Sequence, residues 1–324
     1  MKVIDNKVIL VTGGTGSFGN QFAETVLNQY NPKSIRIFSR GEKLQYDMRQ
    51  KFDDDRLRFF IGNVRDRNRL NRAMNDVNIV VHAAALKQVP ACEYNPIEAI
   101  RTNIDGAVNV IDAALDNHVE KVMAISTDKA VHPVNLYGAT KMTAEKLFVQ
   151  ANSYAGKKDT KFSCVRYGNV IGSRGSVIPL FRKQKKQGIL TITDPNMTRF
   201  WLTLEQGVNF VINSIGKMQG GEIFIPKIPS MKITDLADVI APNANKKIIG
   251  IRPGEKIHET LLTADESRHS LEFEDIFVIE PEHSYWNKKN YNKGKKLSEG
   301  FTYSSDINKE WLSEDELKKI INHL

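Results

Sequence analysis

The sequence predicts an α/β fold in which a doubly wound parallel sheet is followed by a smaller region that closes over it. Three observations carry that reading. Short β-branched runs alternate with longer helical patterns through the first 170 residues, as a parallel sheet with crossover helices requires. A glycine-rich turn joins the first run to the first helical stretch. Past residue 169 the alternation breaks, prolines recur (Pro179, Pro195, Pro226, Pro229, Pro242, Pro253) and helical stretches shorten.

Taken in order, residues 7–12 form the first strand. Phe18, Phe22 and Val26 then recur at helical spacing and mark the first crossover helix. Residues 34–38, 57–61 and 79–82 are the next strands, each short and apolar on both faces, as in a sheet covered by helices on two sides. A long helix is predicted over 96–117, with Val108, Ala113 and Leu115 among its apolar positions. A fifth strand spans 122–125, a helix 135–154 and a sixth strand 162–167. The polar stretch 288–300 reads as a loop. Residues 314–324 read as a closing helix with Leu317, Ile320 and Ile321 on one side and Ser313 as its N-cap. The division this implies is residues 1–168, with later segments returning to them, and 169–324 as mainly a binding region.

The composition, 324 residues with 41% hydrophobic and 26% charged, is that of a globular chain. No run approaches the roughly 18 apolar residues that a membrane span needs. Residues 1–7 lead straight into a strand, which leaves no room for a signal peptide. Cys92 and Cys164 lie in apolar neighbourhoods without metal-ligand spacing, so they read as reduced, buried thiols of a cytoplasmic protein that carries no metal. The net charge of +8 invites a nucleic-acid hypothesis, carried by Lys183, Lys185, Lys186 and by Lys288, Lys289, Lys293, Lys295, Lys296. Neither run is interleaved with aromatics, so both read as solvated faces; no nucleic acid and no membrane is expected as partner. The excess charge would help attract a small dianionic substrate.

The first strand ends in Val11-Thr12-Gly13-Gly14-Thr15-Gly16-Ser17-Phe18-Gly19. Glycine is needed here because a Cβ would obstruct both the tight turn and the approach of a pyrophosphate, while the helix starting near Ser17 aims unpaired amides at that anion. This predicts a Rossmann-type dinucleotide site formed by Gly13, Thr15, Gly16, Ser17, Phe18 and Gly19. The second strand ends Ser39-Arg40-Gly41-Glu42-Lys43, without the acid that usually accepts from the ribose hydroxyls of NAD. Ser39, Arg40 and Lys43 offer a hydroxyl and two cations, which suits the 2′-phosphate of NADP. Asn63 and Val64 are expected to line the adenine. Ala83, Ala84 and Ala85 would line the nicotinamide ribose, and Thr102 would add to the cofactor wall.

Ser126-Thr127-Asp128-Lys129-Ala130 and then Tyr137-Gly138-Ala139-Thr140-Lys141 are the most informative segments. Tyr137 and Lys141, four apart on a helix, share a face. An ammonium beside a phenol favours the phenolate and lowers a pKa of about 10 toward neutrality. Such a phenolate can take the proton from a sugar hydroxyl as hydride leaves the same carbon. Arg252, in a predicted turn, could clamp a diphosphate, with Arg199 as a second candidate.

These residues resemble the extended short-chain dehydrogenase/reductase family of nucleotide-sugar enzymes over nearly the whole chain, and within it the inverting UDP-N-acetylglucosamine 4,6-dehydratases of the pseudaminic-acid type. The resemblance rests on the glycine turn, on His82-Ala83-Ala84-Ala85-Leu86-Lys87-Gln88-Val89-Pro90, on Ser126-Thr127-Asp128-Lys129-Ala130 and on Arg166-Tyr167-Gly168-Asn169-Val170. Ser173-Arg174-Gly175-Ser176-Val177-Ile178-Pro179, Thr191-Ile192-Thr193-Asp194-Pro195, Met197-Thr198-Arg199-Phe200 and Arg252-Pro253-Gly254-Glu255-Lys256 add to it. It implies that Thr127, Asp128, Lys129, Tyr137 and Lys141 are catalytic, with Lys129 the base at C5 and Asp128 the acid at C6. Either Tyr137 or Lys129 would return the proton to C5. It implies further that Tyr137 and Asn169 touch the sugar or diphosphate, that Val177, Thr191 and Thr193 line the uridine, and that Lys87 and Glu255 reach the sugar or ribose. His258 is expected to be structural. A related branch carries methionine where Tyr137 stands, so the tyrosine supports the C5-inverting route.

UDP-N-acetylglucosamine is thus the expected substrate and a dimer or hexamer the expected assembly. The alternatives are a UDP-N-acetylglucosamine epimerase acting at C5 or C4, and a regulator that binds NADP or a nucleotide sugar without turnover.

Overall fold

The computed structural model describes residues 3–156, 159–172, 177–282, 291 and 293–322. Strands β1 (Val8–Thr12), β2 (Ser34–Ser39), β3 (Leu57–Ile61), β4 (Ile79–His82), β5 (Lys121–Thr127) and β6 (Lys161–Tyr167) pair in parallel, in the spatial order 3-2-1-4-5-6. Helices α1 (Ser17–Gln29), α2 (Glu42–Phe52), α3 (Arg67–Met74), α4 (Val89–Tyr94), α5 (Pro96–Ile100), α6 (Gly106–Asp116) and α7 (Leu136–Tyr154) connect them. That order reverses beside β1, where sheets of this kind open a crevice at their carboxyl ends. β1 and β4 are buried at every position, the pattern of strands covered on both faces. β3 departs from it: Arg58 and Ile61 are exposed because the strand is an edge of the sheet.

The helix expected over 96–117 is divided. Between α5 and α6, residues Arg101–Asp105 form a wider π-helical turn, in which the Gly106 N–H donates to the Arg101 carbonyl. Such turns concentrate at functional sites. Here the turn aims Asn103 at the loop after β4. The Asn103 side chain accepts from Leu86 N (2.8 Å) and donates to Leu86 O (2.9 Å) and to Thr140 Oγ1 on α7 (2.9 Å).

Later strands are β7 (Asn169–Val170), β8 (Ile189–Ile192), β9 (Thr198–Leu202), β10 (Ile223–Pro226), β11 (Ser230–Lys232) and β12 (Asn245–Ile248). They are followed by β13 (Thr260–Leu262), β14 (Ser270–Glu272), β15 (Ile276–Ile279), β16 (Lys295–Lys296) and β17 (Tyr303–Ser304). The remaining helices are α8 (Val177–Lys185), α9 (Leu204–Lys217), α10 (Ile233–Ile240) and α11 (Glu314–Asn322). Much of this half returns to the first. β10 lies parallel beside β6, and β15, β14 and β16 follow antiparallel, which gives a ten-stranded sheet.

Two expectations change here. Helix α9 is not short: its 14 residues open with a reciprocal cap between Thr203 and Gln206, and it buries Val208, Val211, Ile212 and Ile215 in the same core as Phe22 and Val26 of α1. The stretch 288–300, expected to be a loop, contributes β16; Lys288 and Lys289 lie outside the described residues.

A second core gathers Ile178, Phe181, Leu190, Leu236, Leu317 and Ile321 from α8, β8, α10 and α11. Each large apolar side chain so buried contributes about 1.5–3 kcal/mol. Ser313 caps α11, exchanging bonds with Glu316. Between the cores, buried Arg166 on β6 ties α7 to the later chain. It meets both oxygens of Glu145 (3.1 and 2.7 Å) and both of Glu266 (3.1 and 2.9 Å), and donates to Leu261 O (2.9 Å). Among the described residues, no helix is long and apolar enough to cross a membrane.

Candidate active site

A cavity of about 1080 Å³ runs from the carboxyl end of β1, past β4 and β5, to the second core. Its first half is built by backbone. Gly13 has φ +67° and donates to Phe38 O at 2.8 Å; a Cβ there would stand 2.9 Å from Ala84 Cα. Gly13, Thr15, Gly16, Ser17 and Phe18 line the cavity, and α1 begins at Ser17 with its amino end toward it. Gly19 does not line it. A Cβ at 19 would fall 2.2 Å from Gly14 O, so this glycine serves the close packing of α1 on the turn instead of touching a ligand.

Ser39 and Arg40 stand on the wall, and buried Gln45 fixes the end of β2 by donating to Ser39 O (3.0 Å), Ser39 Oγ (3.0 Å) and Phe60 O (2.9 Å). Lys43, expected beside them, turns away: its side chain is 86% exposed and pairs with Asp47 one helical turn on, at 3.3 Å. Asn63, Val64, Ala83, Ala84, Ala85 and Thr102 all line the same half. Thr102 Oγ1 accepts from Arg65 Nε (3.0 Å) and Nη2 (2.6 Å).

The second half is built by charge. β5 runs two residues beyond its expected end and finishes at Thr127, and Asp128–Ala130 make a single 3₁₀ turn. Thr127 Oγ1 donates to Asp128 Oδ1 (2.8 Å), and Lys129 Nζ donates to the same oxygen (3.1 Å). Asp128 is fully buried and reaches the cavity only through Thr127 and Lys129, which line it. Asp128 Oδ2 has no hydrogen-bond partner among the described residues. Helix α7 starts against this turn. Asn135 caps it by accepting from Gly138 N (2.8 Å), and a Cβ at Gly138 would lie 2.1 Å from Lys129 O. That closeness sets Tyr137 and Lys141 on the cavity wall.

The electrostatics of the site bear on two expectations about protons. Lys141 donates to Ile125 O at 2.7 Å, and burial lowers its pKa. Burial pushes the Tyr137 phenol up to about 12; Lys129, not Lys141, is the cation that opposes the rise. Lys129 was expected as a base. Burial works against its charge, but Asp128 and Glu259 outweigh burial and hold its pKa above the ordinary lysine value, so it rests as an ammonium.

Glu259, absent from the sequence reading, is buried yet lines the cavity 3.4 Å from Lys129 Nζ. Lys256, 3.6 Å from the same carboxylate, also lines it. Lys256 ends the motif that begins at Arg252 and Glu259 lies three residues beyond it, so the signal was the run of charge continuing past that motif. Asn135 was likewise unforeseen as a link: its Nδ2 donates to Gly254 O (2.7 Å) and ties α7 to that run.

Lys87, Asn169, Val177, Thr191, Thr193, Arg199, Arg252 and Glu255 all line the cavity; residues 173–176 lie outside the described residues. Asn169 Oδ1 is buried with no hydrogen-bond partner among the described residues, an acceptor aimed where a ligand can supply a donor. Gln184 holds Thr191 through Oγ1 (2.8 Å) and N (3.1 Å), and Thr193 Oγ1 donates to Met197 Sδ (3.3 Å). Arg252, 64% exposed, pairs with Glu255. Arg199 is not a free phosphate clamp. It is buried and donates to three carbonyls, Thr198 O (2.7 Å), Ile257 O (2.9 Å) and Lys256 O (2.9 Å). His258 bonds Thr198 Oγ1 at 2.8 Å, a structural contact.

Known proteins resemble this chain along most of its length. The family model described as "Polysaccharide biosynthesis protein" matches residues 9–281. The chain is 54% identical over 330 residues to the inverting UDP-N-acetylglucosamine 4,6-dehydratase of Campylobacter jejuni, with 99% of each chain covered. It is 45% identical over 284 residues to the UDP-glucose 4-epimerase of Rickettsia canadensis, covering 85% of this chain and 83% of the relative. Among solved structures, Pen from Bacillus thuringiensis superposes with a TM-score of 0.91 at 41% identity, covering 99% of this chain and 98% of its own.

Proposed function

The chain belongs to the polysaccharide biosynthesis protein family of short-chain dehydrogenases/reductases, and within it we propose that it is an NADP-dependent UDP-N-acetylglucosamine 4,6-dehydratase that inverts C5. The observation that carries the reading is the Asp128–Lys129 pair at the end of β5 beside Tyr137, in a chain 54% identical end to end to an inverting dehydratase.

The cofactor half fits a dinucleotide, since the cradle at Gly13 is one that a Cβ would fill. NADP bound there would accept hydride from C4 and give it back to C6, so no net redox occurs. Ser39 and Arg40 would meet its 2′-phosphate; Lys43 is turned away from that task. As the phenolate, which the positive charge of Lys129 favours against the effect of burial, Tyr137 takes the C4 hydroxyl proton and becomes the phenol.

The new C4 ketone acidifies the C5 proton. Lys129 becomes a base when its proton crosses the 3.1 Å bond to Asp128, which makes an amine and a carboxylic acid in one step. The low dielectric of a buried pair narrows the gap between its charged and neutral forms. The acid then delivers its proton to the C6 hydroxyl by way of Thr127 Oγ1, which bridges Asp128 and the cavity. Return of a proton to the opposite face of C5, from Tyr137 or Lys129, gives the L-configured 4-keto-6-deoxy sugar. Such a product suits the pseudaminic-acid route.

Incubation with UDP-N-acetylglucosamine in D₂O, followed by NMR and mass spectrometry, tests the reading. A product lighter by one water with deuterium at an inverted C5 supports it. Unchanged mass with a C4 or C5 epimer gives the site to an epimerase, the second reading favoured by the Rickettsia canadensis relative. Light scattering tests the dimer or hexamer that the family resemblance implies.

A further inference from the structure

Glu259 immediately precedes β13 and is 2% exposed, yet its carboxylate forms part of the cavity wall. Its backbone is pinned by β17 and the residue after it: Glu259 N donates to Ser305 Oγ (2.9 Å), and Glu259 O accepts from Ser305 N (2.8 Å) and Ser304 Oγ (3.2 Å). The side chain is less settled. Oε1 stands 3.4 Å from Lys129 Nζ and 3.9 Å from Arg199 Nε, and Oε2 stands 3.6 Å from Lys256 Nζ. Oε2 is buried without a hydrogen-bond partner among the described residues. A buried carboxylate left in that condition costs free energy, so packing does not account for it.

We propose that Glu259 is a positioning residue that sets the protonation of Lys129, sharing its ammonium with Asp128. The inference rests on the dehydratase reading only in giving Lys129 a base to become. The groups that face Lys129 are Asp128 from its own turn, Tyr137 from α7, Arg199 from β9, and Lys256 and Glu259 from the segment before β13. Two carboxylates thus meet three cations. Lys256 donates to Val131 O at 2.5 Å and Arg199 to its three carbonyls, so both cations are fixed in place. When the Lys129 proton moves to Asp128, Glu259 remains to balance them. Without Glu259, Lys129 would face two fixed cations with Asp128 alone in opposition.

Competitive acetylation with acetic anhydride between about pH 7 and pH 11, read peptide by peptide by mass spectrometry, reports the titration of Lys129 without substrate, since only the neutral amine reacts. In the wild-type chain Lys129 should label more slowly than an ordinary lysine throughout. Glu259→Gln should make Lys129 label roughly 10–1000-fold faster at a fixed pH in that window, the rate equivalent of the 1–3 pH units by which an opposite charge shifts a titration at this range. Glu259→Asp, which keeps the charge, should give a smaller change of the same sign, and it decides the matter if Glu259→Gln fails to fold. An unchanged Lys129 labelling rate in the folded variant overturns the proposal, because a purely structural glutamate would change stability and leave the titration alone. The acid limb of C5 deuterium exchange should shift with it. If the titration moves but wild-type protein leaves UDP-N-acetylglucosamine unchanged, the dehydratase reading falls and the role of Glu259 stands.

Discussion

Two buried charge clusters sit side by side in the sheet, one on β6 and one in the turn that ends the neighbouring β5, and they are built differently. Around Arg166, all five guanidinium N–H donors are used, on Glu145, Glu266 and Leu261 O. Around Lys129, one oxygen of Asp128 and one of Glu259 are left without a hydrogen bond among the described residues. A closed network in a low dielectric fixes geometry; an open one retains the option of moving a proton. The first cluster is therefore a clamp between α7, β6 and the later chain, and the second is arranged to suit the proton transfer proposed for it.

That contrast can be broken by mutation. The largest expected effect is on rate: Lys129→Ala should abolish dehydration, a loss of at least about 10²–10⁴-fold, while C4 oxidation partly survives. Reduced cofactor accumulating at its absorbance band, without product, is the sign to look for; full dehydration by this variant would end the Asp128–Lys129 assignment. Next in size is a stability effect. Arg166→Met should cost about 3–5 kcal/mol in urea unfolding, because Glu145 and Glu266 would be left buried without their partner. Its folded fraction should turn over within a few-fold of wild type. A large rate loss with unchanged stability would erase the distinction between the clusters.

The smallest effect concerns acid. Burial opposes the Glu266 charge, but Arg166 and the Thr263 bonds outweigh it and hold the carboxyl below the ordinary glutamate range. A carboxyl depressed in the folded state contributes stability above its unfolded pKa and loses it as pH falls through the folded one. The stability gap between wild type and Glu266→Gln should therefore shrink between about pH 6 and pH 3. A gap that stays constant across that window would show that Glu266 is not held as an anion by Arg166.

The cofactor half was the more legible in sequence because it is local. Strand, glycine turn and helix are consecutive, so Gly13, Gly16 and Ser17 could be placed from spacing alone. Even there, residues with a nearer neighbour served it instead: the Lys43 side chain found Asp47 on its own helix, and Gly19 lets α1 pack closely on the backbone of Gly14. The catalytic half brings Asp128 and Lys129 against Glu259, about 130 residues later, and no local periodicity encodes a meeting at that separation. Arg199 was misread because a guanidinium in a motif says nothing about which carbonyls will claim it. The protonation of Tyr137 and Lys129 depended on burial and on those distant charges, which only the assembled sheet reveals.

The π-helical turn at Arg101–Asp105 makes the length of this segment a matter of phase. Upstream of it Ala99 faces inward; downstream Ala107, Val110, Ala113 and Ala114 do. One extra residue in ordinary winding would rotate one flank by roughly 100° relative to the other, the angle between successive α-helical residues; the wide turn takes up that residue and keeps both flanks facing inward. Loss of one residue within the turn would close it to ordinary winding with the flanks still in phase, and would move Thr102 and Asn103 off the cavity and the Leu86 loop. A one-residue deletion among these five residues should therefore spare the fold and disturb the site.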